Sequence, residues 1–593
     1  MVAIRVDTFG GMVPAVDDRL LPDRAASEAS DVWLYTGRLE PMHTPETLYT
    51  CASASITSVY RLPDDARSAQ NLPVATWMEF EHPFTNVLRA PVIGDTFERY
   101  YWVSPAEQPK YNTKARIESA SAEFVLGVPA PGTVPGVTPA GGVSTVNVTR
   151  SYVYTWVTAY GEEGPPSDPT TATGKVDDTW AITVTAPGGA DETDRNLEKV
   201  RVYRTITDTL GNATYYLVTE FAKATVAYND TQADTAISGN NQLESTSWTA
   251  PPTDLEGWIG LPNGIIAGFR DNELWFSEPY RPHAWPAQYT IAVEFPIVGL
   301  GVVGQTLVIC TTGFPAACSG VRPESMSLTK LSVYEPCLSR GSIVSAPEGV
   351  YYASQNGLVL VGNGRVENIT RELITKDKWQ ALASVDTLRA ARIGTAYYAY
   401  GSAAATVFQE DTFQENMVQV QDFDGAYRGV FIDPQNQRVA FSLLSSTDPV
   451  DNVLNDPWTG EVFLLKAGVV YWLDLADSTP THEVATWVSK EFHFPRVSNL
   501  GAAKVFFTIP STAPALNVTP NTALVQDLAA DQYALLKVYV DGVHKSTHEI
   551  RESGQLLRLP SGFKGQVWKF ELQTRVPIRS LHIASSVKEL KSV

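Results

Sequence analysis

The side chains with the richest chemistry are few in this sequence and poorly spaced for joint work. Its eight histidines stand at His43, His82, His283, His482, His493, His544, His548 and His582. Only His544 and His548 show the i, i+4 spacing of a metal-binding pair, which needs a helix to work. They follow a hairpin in a strand-rich region, so ordinary strand histidines are expected. Four cysteines, Cys51, Cys310, Cys318 and Cys337, lack CxxC or zinc-ribbon spacing and read as free thiols of a reducing compartment. Cys310 and Cys318 flank a hairpin turn at Thr311–Pro315 that would place them near each other, without making a site.

Other chemical signatures fail on context. There is no G-x-S-x-G elbow and no P-loop. Gly362-Asn363-Gly364 lacks a surrounding strand–helix unit and reads as a turn. Asp422-Phe423-Asp424-Gly425 begins like a calcium loop but lacks the later oxygen ligands and the terminal Glu. Sugar hydrolysis by propeller glycosidases needs paired carboxylates, and sialidase-type propellers also carry repeated Ser-x-Asp-x-Gly-x-Thr-Trp turns. Asp177-Asp-Thr-Trp180 and Asp456-Pro-Trp-Thr-Gly460 are only fragments of one. No catalytic, cofactor-binding or metal-binding residue is therefore nominated, no cofactor is expected, and the chain reads as a non-enzyme.

Composition narrows the function classes. A chain of 593 residues exceeds one hydrophobic core and implies three to five domains at roughly 150 residues each. Hydrophobic residues at 44% and charged residues at 19% define a globular protein. The net charge of −20 opposes tight binding to phosphate backbones. It suits either general solubility or a wall past which DNA slides without sticking. The N-terminal Met1-Val-Ala-Ile-Arg-Val-Asp7 carries no secretion signal, and no stretch has the length of a membrane span.

The elements that would position any site are strands. Ile265–Phe269 and Leu274–Phe276, joined at Asp271-Asn272, read as a hairpin, and the Pro-containing Ser277–Pro282 run ends it. Similar pairs recur: Thr306–Thr311 with Ala316–Gly320, Gly349–Ser354 with Gly357–Val361, Thr395–Tyr400 with Met417–Asp422, and Gly460–Lys466 with Gly468–Leu473. Such radial repetition predicts an all-β fold with a β-propeller core. Helix is expected at Thr370–Leu382, capped by Thr370, and as a short piece within Asp17–Ser30. The domain reading is an N-terminal β region at 1–130 contributing to a propeller or platform, an inserted module at 131–250, a propeller core at 251–495, and a C-terminal β domain at 496–593.

Residues 128–145 read as a Pro/Gly linker without a core. Ser151–Tyr160 then alternates, with Tyr152, Tyr154, Trp156 and Thr158 on one face. With the Gly161–Pro166 turn, Val200–Thr205 and Tyr228–Thr231, this block resembles a fibronectin type III module, which implies a β-sandwich spacer or adhesive unit.

The order of the remaining motifs resembles the tail nozzle protein (tail tubular protein B) of short-tailed bacteriophages. The resemblance rests on Tyr100-Tyr-Trp-Val-Ser-Pro105, Ser277-Glu-Pro-Tyr-Arg-Pro-His-Ala-Trp-Pro286, Gly349–Leu358, and Arg558–Phe563 with Ala584–Leu590. It implies a virion tail protein, assembled in the host bacterial cytoplasm. Six copies would form a ring at the distal tail end, bind a head-to-tail adaptor, and surround a channel for passing double-stranded DNA. Tail fibres or spikes would be further partners, and loops such as Asp422–Arg428 would narrow the bore. The alternative is a receptor- or glycan-binding tail adhesin on a propeller scaffold; a polysaccharide-degrading enzyme is a third class.

Overall fold

The computed structural model describes residues 3–590 apart from 35, 64–75, 208–212, 363, 383–384, 402–426, 435–439, 447, 474–481, 509–532 and 561. The fold is all-β, and the longest helix among the described residues is Lys376–Leu382. Valine, threonine and aromatic runs favour the pleated conformation, and turn pairs punctuate them. Ala467-Gly468 and Asp541-Gly542 take positive φ at both residues, as the twist of a two-residue hairpin requires.

Seven sheets succeed one another around an axis, forming a β-propeller. Five are four-stranded sheets, the sixth blade is four strands of a ten-stranded sheet, and the first, Ser58–Arg61 with Trp77–Phe80, has two strands among the described residues. Blade II comprises Asn86–Arg89, Arg99–Ser104, Glu107–Thr113 and Phe124–Val125. Blades III, IV and V open at Glu256–Gly260, Ile297–Val303 and Val344–Ala346; VI and VII open at Arg389–Ile393 and Asn452–Asn455. These innermost strands abut in series from blade II to blade VII. The circle closes through blade I: the Asn452 side-chain amide donates to the carbonyls of Thr57 at 2.9 Å and Pro83 at 3.0 Å. Blade VII takes its outer strand, Glu46–Thr50, from the start of the chain.

Period-2 alternation lets each blade bury both faces. In blade IV, Leu307 and Ile309 pack towards blade III, while Val308 and Cys310 pack towards blade V. The inserted module is a sandwich. Gly136–Ala140, Thr179–Thr183 and Ala227–Asp230 make one sheet, and Thr170–Lys175, Asn147–Thr158, Leu197–Thr207 and Ala213–Ala222 the other. Numbered within the module, the orders are 1-4-7 and 3-2-5-6. Strands one and two thus lie on opposite sheets, unlike A and B of an immunoglobulin-type sandwich. The likeness is in architecture.

The C-terminal unit is a second sandwich, completed by the N-terminus. Ala3–Val6 pairs with Ile578–Ala584, which continues to Ala502–Phe507 and Leu557–Arg558. The facing sheet holds Ala485–Ser489, Gly565–Thr574, Ala534–Val540 and Val543–Ile550. It is continuous with blade VI through Ala26–Ser30, where Ser30 runs parallel to Leu443.

Four local expectations are corrected. The 128–145 stretch is no coreless linker, because Gly136–Ala140 pairs with Thr179–Thr183 and Val128 is buried in the sandwich core. Asp17–Ser30 holds a single 3-10 turn at Asp18–Leu20 and then the strand Ala26–Ser30, whose pairing with Ala485–Ser489 outweighs helix propensity. The helix foreseen from Thr370 starts at Lys376. Thr370 caps no helix: it is fully buried, and its Oγ1 accepts from the Leu358 N–H at 2.9 Å, tying down blade V. Ala396–Tyr400 pairs with Tyr427–Asp433; Met417–Asp422, the partner read from sequence, lies outside the described residues.

Candidate functional site

The propeller axis is the natural place for a site, since all inner strands face it. They leave a cavity of about 360 Å³ there, walled by Arg61, Asn86, Gly257, Gly299, Arg340 and Asp456 among others. Arg61 ends an apolar strand in blade I and forms a buried ion pair with Asp456 of blade VII. Asp456 also accepts from the Thr459 N–H at 3.2 Å and hydroxyl at 2.7 Å, and the Trp458 indole donates to the Arg61 carbonyl at 3.1 Å. Arg61 Nε and Asp456 Oδ1 are buried without a hydrogen-bond partner among the described residues.

Arg340 also lines this cavity. It donates to Glu256 of blade III at 2.7 Å and to Asn86 Oδ1 of blade II at 2.9 Å. It lies over the rings of Phe84 and Phe269 at 5.2 and 5.4 Å. Burial pulls the guanidinium below its ordinary range, against the Glu256 charge. A single side chain beside blade V thus holds two other blades, and the axis is a pinned polar plug. The cavity holds roughly a dozen waters at about 30 Å³ each, far too few to admit a DNA duplex.

A second polar cluster joins the inserted sandwich to blade II. Arg99 donates to Asp95 at 3.0 Å and to Glu162 at 2.8 Å, and the Tyr101 hydroxyl donates to Glu162 at 3.2 Å. Glu162 belongs to the sandwich, where burial raises its carboxyl and Arg99 opposes that rise. His283, from the loop after blade III's third strand, is buried and pushed down to about 3 by desolvation, so it is neutral at pH 7. The strands entering and leaving the module cross at Gly127, where φ is +95° and a Cβ would stand 2.4 Å from that of Ala250. The joint is therefore packed tightly.

The residues weighed from sequence do not converge. His544 and His548 lie on the strand Val543–Ile550, about 13 Å apart at strand rise. Each approaches a neighbouring hydroxyl instead, Thr547 and Ser546, at 2.9 Å. Cys310 and Cys318 fall on opposite faces of blade IV, correcting the expected proximity: Cys318 sits opposite Leu307, whereas Cys310 shares a core with Cys337. All four cysteines are free and buried. Gly364, at φ +72°, turns one strand of blade V into the next. Asp177 holds a loop by accepting from the N–H groups of Val143 and Ser144 at 2.9 and 3.0 Å. Asp422–Asp424 lie outside the described residues, as does most of the Asp422–Arg428 loop. Among the described residues no three His, Cys, Asp or Glu side chains gather as metal ligands. Sequence reasoning passed over Arg61, Arg340 and Glu162, whose only signal is a charge set within or beside apolar strands.

No family model matches this chain, and no curated protein does. Solved structures overlap it weakly. The BBS1N chain in complex with ARL6DN aligns at 8% identity and a TM-score of 0.27, covering 67% of this chain and 92% of that one. The N-terminal domain of Nup159 aligns at 11% identity and 0.21, over 40% and 80%. PorZ of the type-IX secretion system of Porphyromonas gingivalis aligns at 11% identity and 0.18, over 56% and 55%. Overlap this weak carries no functional reading.

Proposed function

We propose that this protein is a structural virion component, the nozzle ring at the distal end of a short phage tail. Six copies surround a channel for ejected DNA, and the ring attaches to the tail adaptor. The observation that carries the reading is mechanical continuity. One sheet runs from blade VI through Ala26–Ser30 into the C-terminal sandwich, while Glu46–Thr50 completes blade VII. Force applied to the C-terminal unit therefore passes directly into the propeller through backbone hydrogen bonds. In this reading the DNA bore lies between copies, and the small, ion-paired cavity on the propeller axis supports that choice over a bore inside one propeller. The net charge of −20 suits a wall from which a duplex detaches. The test is to mix the purified chain with its adaptor and image it by electron microscopy. Six-membered rings are expected; persistent monomers under all conditions would refute the reading.

One observation favours a second reading, a glycan-binding adhesin. The axial cavity lies within the size range of small-ligand sites, and the Arg61 and Asp456 side chains are among the residues that line it. Binding of a defined sugar by a monomer, lost in Asp456→Asn, would select it.

A further inference from the structure

Charge is divided unevenly along this chain. Residues 485–593 carry 13 Lys and Arg against 8 Asp and Glu, whereas residues 1–484 carry 32 against 57. A body this acidic that ends in a basic unit is electrostatically two-sided.

Two of these basic residues share one outer face of that unit with Arg5 from the N-terminus. The sheet made by Ala3–Val6, Ile578–Ala584, Ala502–Phe507 and Leu557–Arg558 buries one face, with Ile4, Val505, Leu557, Leu581 and Ile583 in the core. Strand alternation puts the others outward. Arg5 and Lys504 both stand opposite His582, and Arg558 stands opposite Ala502. Phe506 shares this outer face, with its ring 5.2 Å from the His582 ring. Leu556, two residues before Arg558, is 38% exposed. The result is a small apolar centre, Phe506 and Leu556, rimmed by Arg5, Lys504 and Arg558. Arg5 and His582 share Asp7, at 2.5 and 3.0 Å. Lys504 and Arg558 have no hydrogen bond or ion pair to any described residue. The short helix Val587–Leu590 covers one end of this face, over Ala502 and Ala584, and Gly554 lies beside the Phe506 ring.

An apolar centre inside a charged rim is the anatomy of a protein contact. We infer that this outer face docks against the acidic propeller or insertion body of a second copy of the chain. Charge complementarity selects that occupant: a surplus of 25 acidic residues over residues 1–484 is the matching surface that the molecule itself supplies. A contact between unlike surfaces is heterologous, and repetition of it closes a ring when the rotation permits. The inference rests on the ring reading above and names the patch that makes the ring.

The test uses the full chain and its Lys504→Glu/Arg558→Glu variant, with assembly followed by mass photometry and sedimentation velocity. Neither side chain has a hydrogen bond or ion pair among the described residues, so the variant should melt at the wild-type temperature. At about 150 mM salt its half-assembly concentration should rise about tenfold or more, and wild-type assembly should weaken as salt rises from about 50 to about 500 mM. Because a charge reversal can also act at long range, Phe506→Ser should weaken assembly without changing its salt dependence. Variants that form rings at wild-type concentrations would overturn the inference and leave the ring reading intact. A wild type that stays monomeric would overturn both. Tight binding of a short DNA duplex, abolished in the double variant, would overturn it in favour of a nucleic-acid face.

Discussion

Asp31→Asn tests the seam between the N-terminal segment, blade VI and the C-terminal sandwich. Asp31 is 7% exposed, and its N–H donates to the Leu443 carbonyl at 2.9 Å. Ser445 donates to both carboxylate oxygens, from its N–H at 3.0 Å and its hydroxyl at 2.6 Å. Burial pushes the acid up from 3.8 to about 7; the Ser445 hydrogen bonds oppose this and the nearby Glu483 charge adds to it. Between those two values the native protein keeps a proton that the unfolded chain has released. The contribution to stability is therefore full below pH 3.8 and is lost as pH rises through about 7.

At about 1.4 kcal/mol per unit, this shift sets a ceiling of about 4 kcal/mol. Local relaxation around an ionised Asp31 should leave about 1–3 kcal/mol. Asparagine cannot ionise, still accepts from the Ser445 N–H, and can donate to the hydroxyl. It also tolerates the φ of +55° at this position. The variant should match wild type below about pH 3.8, pull ahead of it as pH rises, and exceed it by about 1–3 kcal/mol above pH 7. The measurement is urea unfolding at a series of pH values, followed by tryptophan fluorescence with buried Trp487 as a local reporter. Glu483, also raised by burial, titrates in both proteins, and its coupling to the Asp31 charge is part of the difference. Parallel stability–pH curves for the two proteins would refute the reasoning.

Two further outcomes follow from packing. Arg204→Ala removes a fully buried guanidinium that donates to Asp230 at 2.6 Å and leaves that buried carboxylate, among the described residues, with the Tyr152 hydroxyl and a backbone N–H as its hydrogen-bond partners. A loss of about 3–5 kcal/mol confined to the inserted sandwich is expected, read by hydrogen exchange that rises in residues 136–230 while the propeller stays protected. Gly257→Ala places a methyl at φ +68° and 2.1 Å from the Phe269 ring, at a cost of about 2–4 kcal/mol in thermal melts.

What the letters disclosed was local. Hairpins such as Gly349–Ser354 with Gly357–Gly362 were legible because period-2 alternation and a turn pair both lie within a dozen residues. What stayed hidden was pairing over distance. Nothing in Glu46–Thr50 announces a partner at Val469–Leu473, and Ala26–Ser30 reads like a helix until Ala485–Ser489 lies beside it. The polar plug was hidden for the same reason, because Arg61 and Asp456 meet only after the circle has closed.

Those distant pairings also decide what kind of machine the molecule can be. A propeller closed by strands of one terminal blade alone could open without disturbing anything else. Here the chain passes from Ala3–Val6 through Ala26–Ser30 to Glu46–Thr50 before the first complete blade begins, and each of those strands pairs with a segment beyond residue 440. Opening the circle at blade VII would draw on the same N-terminal segment that completes the C-terminal sandwich, so the two bodies resist separation together. Such coupling costs folding speed, because contacts across more than four hundred residues form late. It suits a part that must hold its shape under load more than one that must open and close in each cycle.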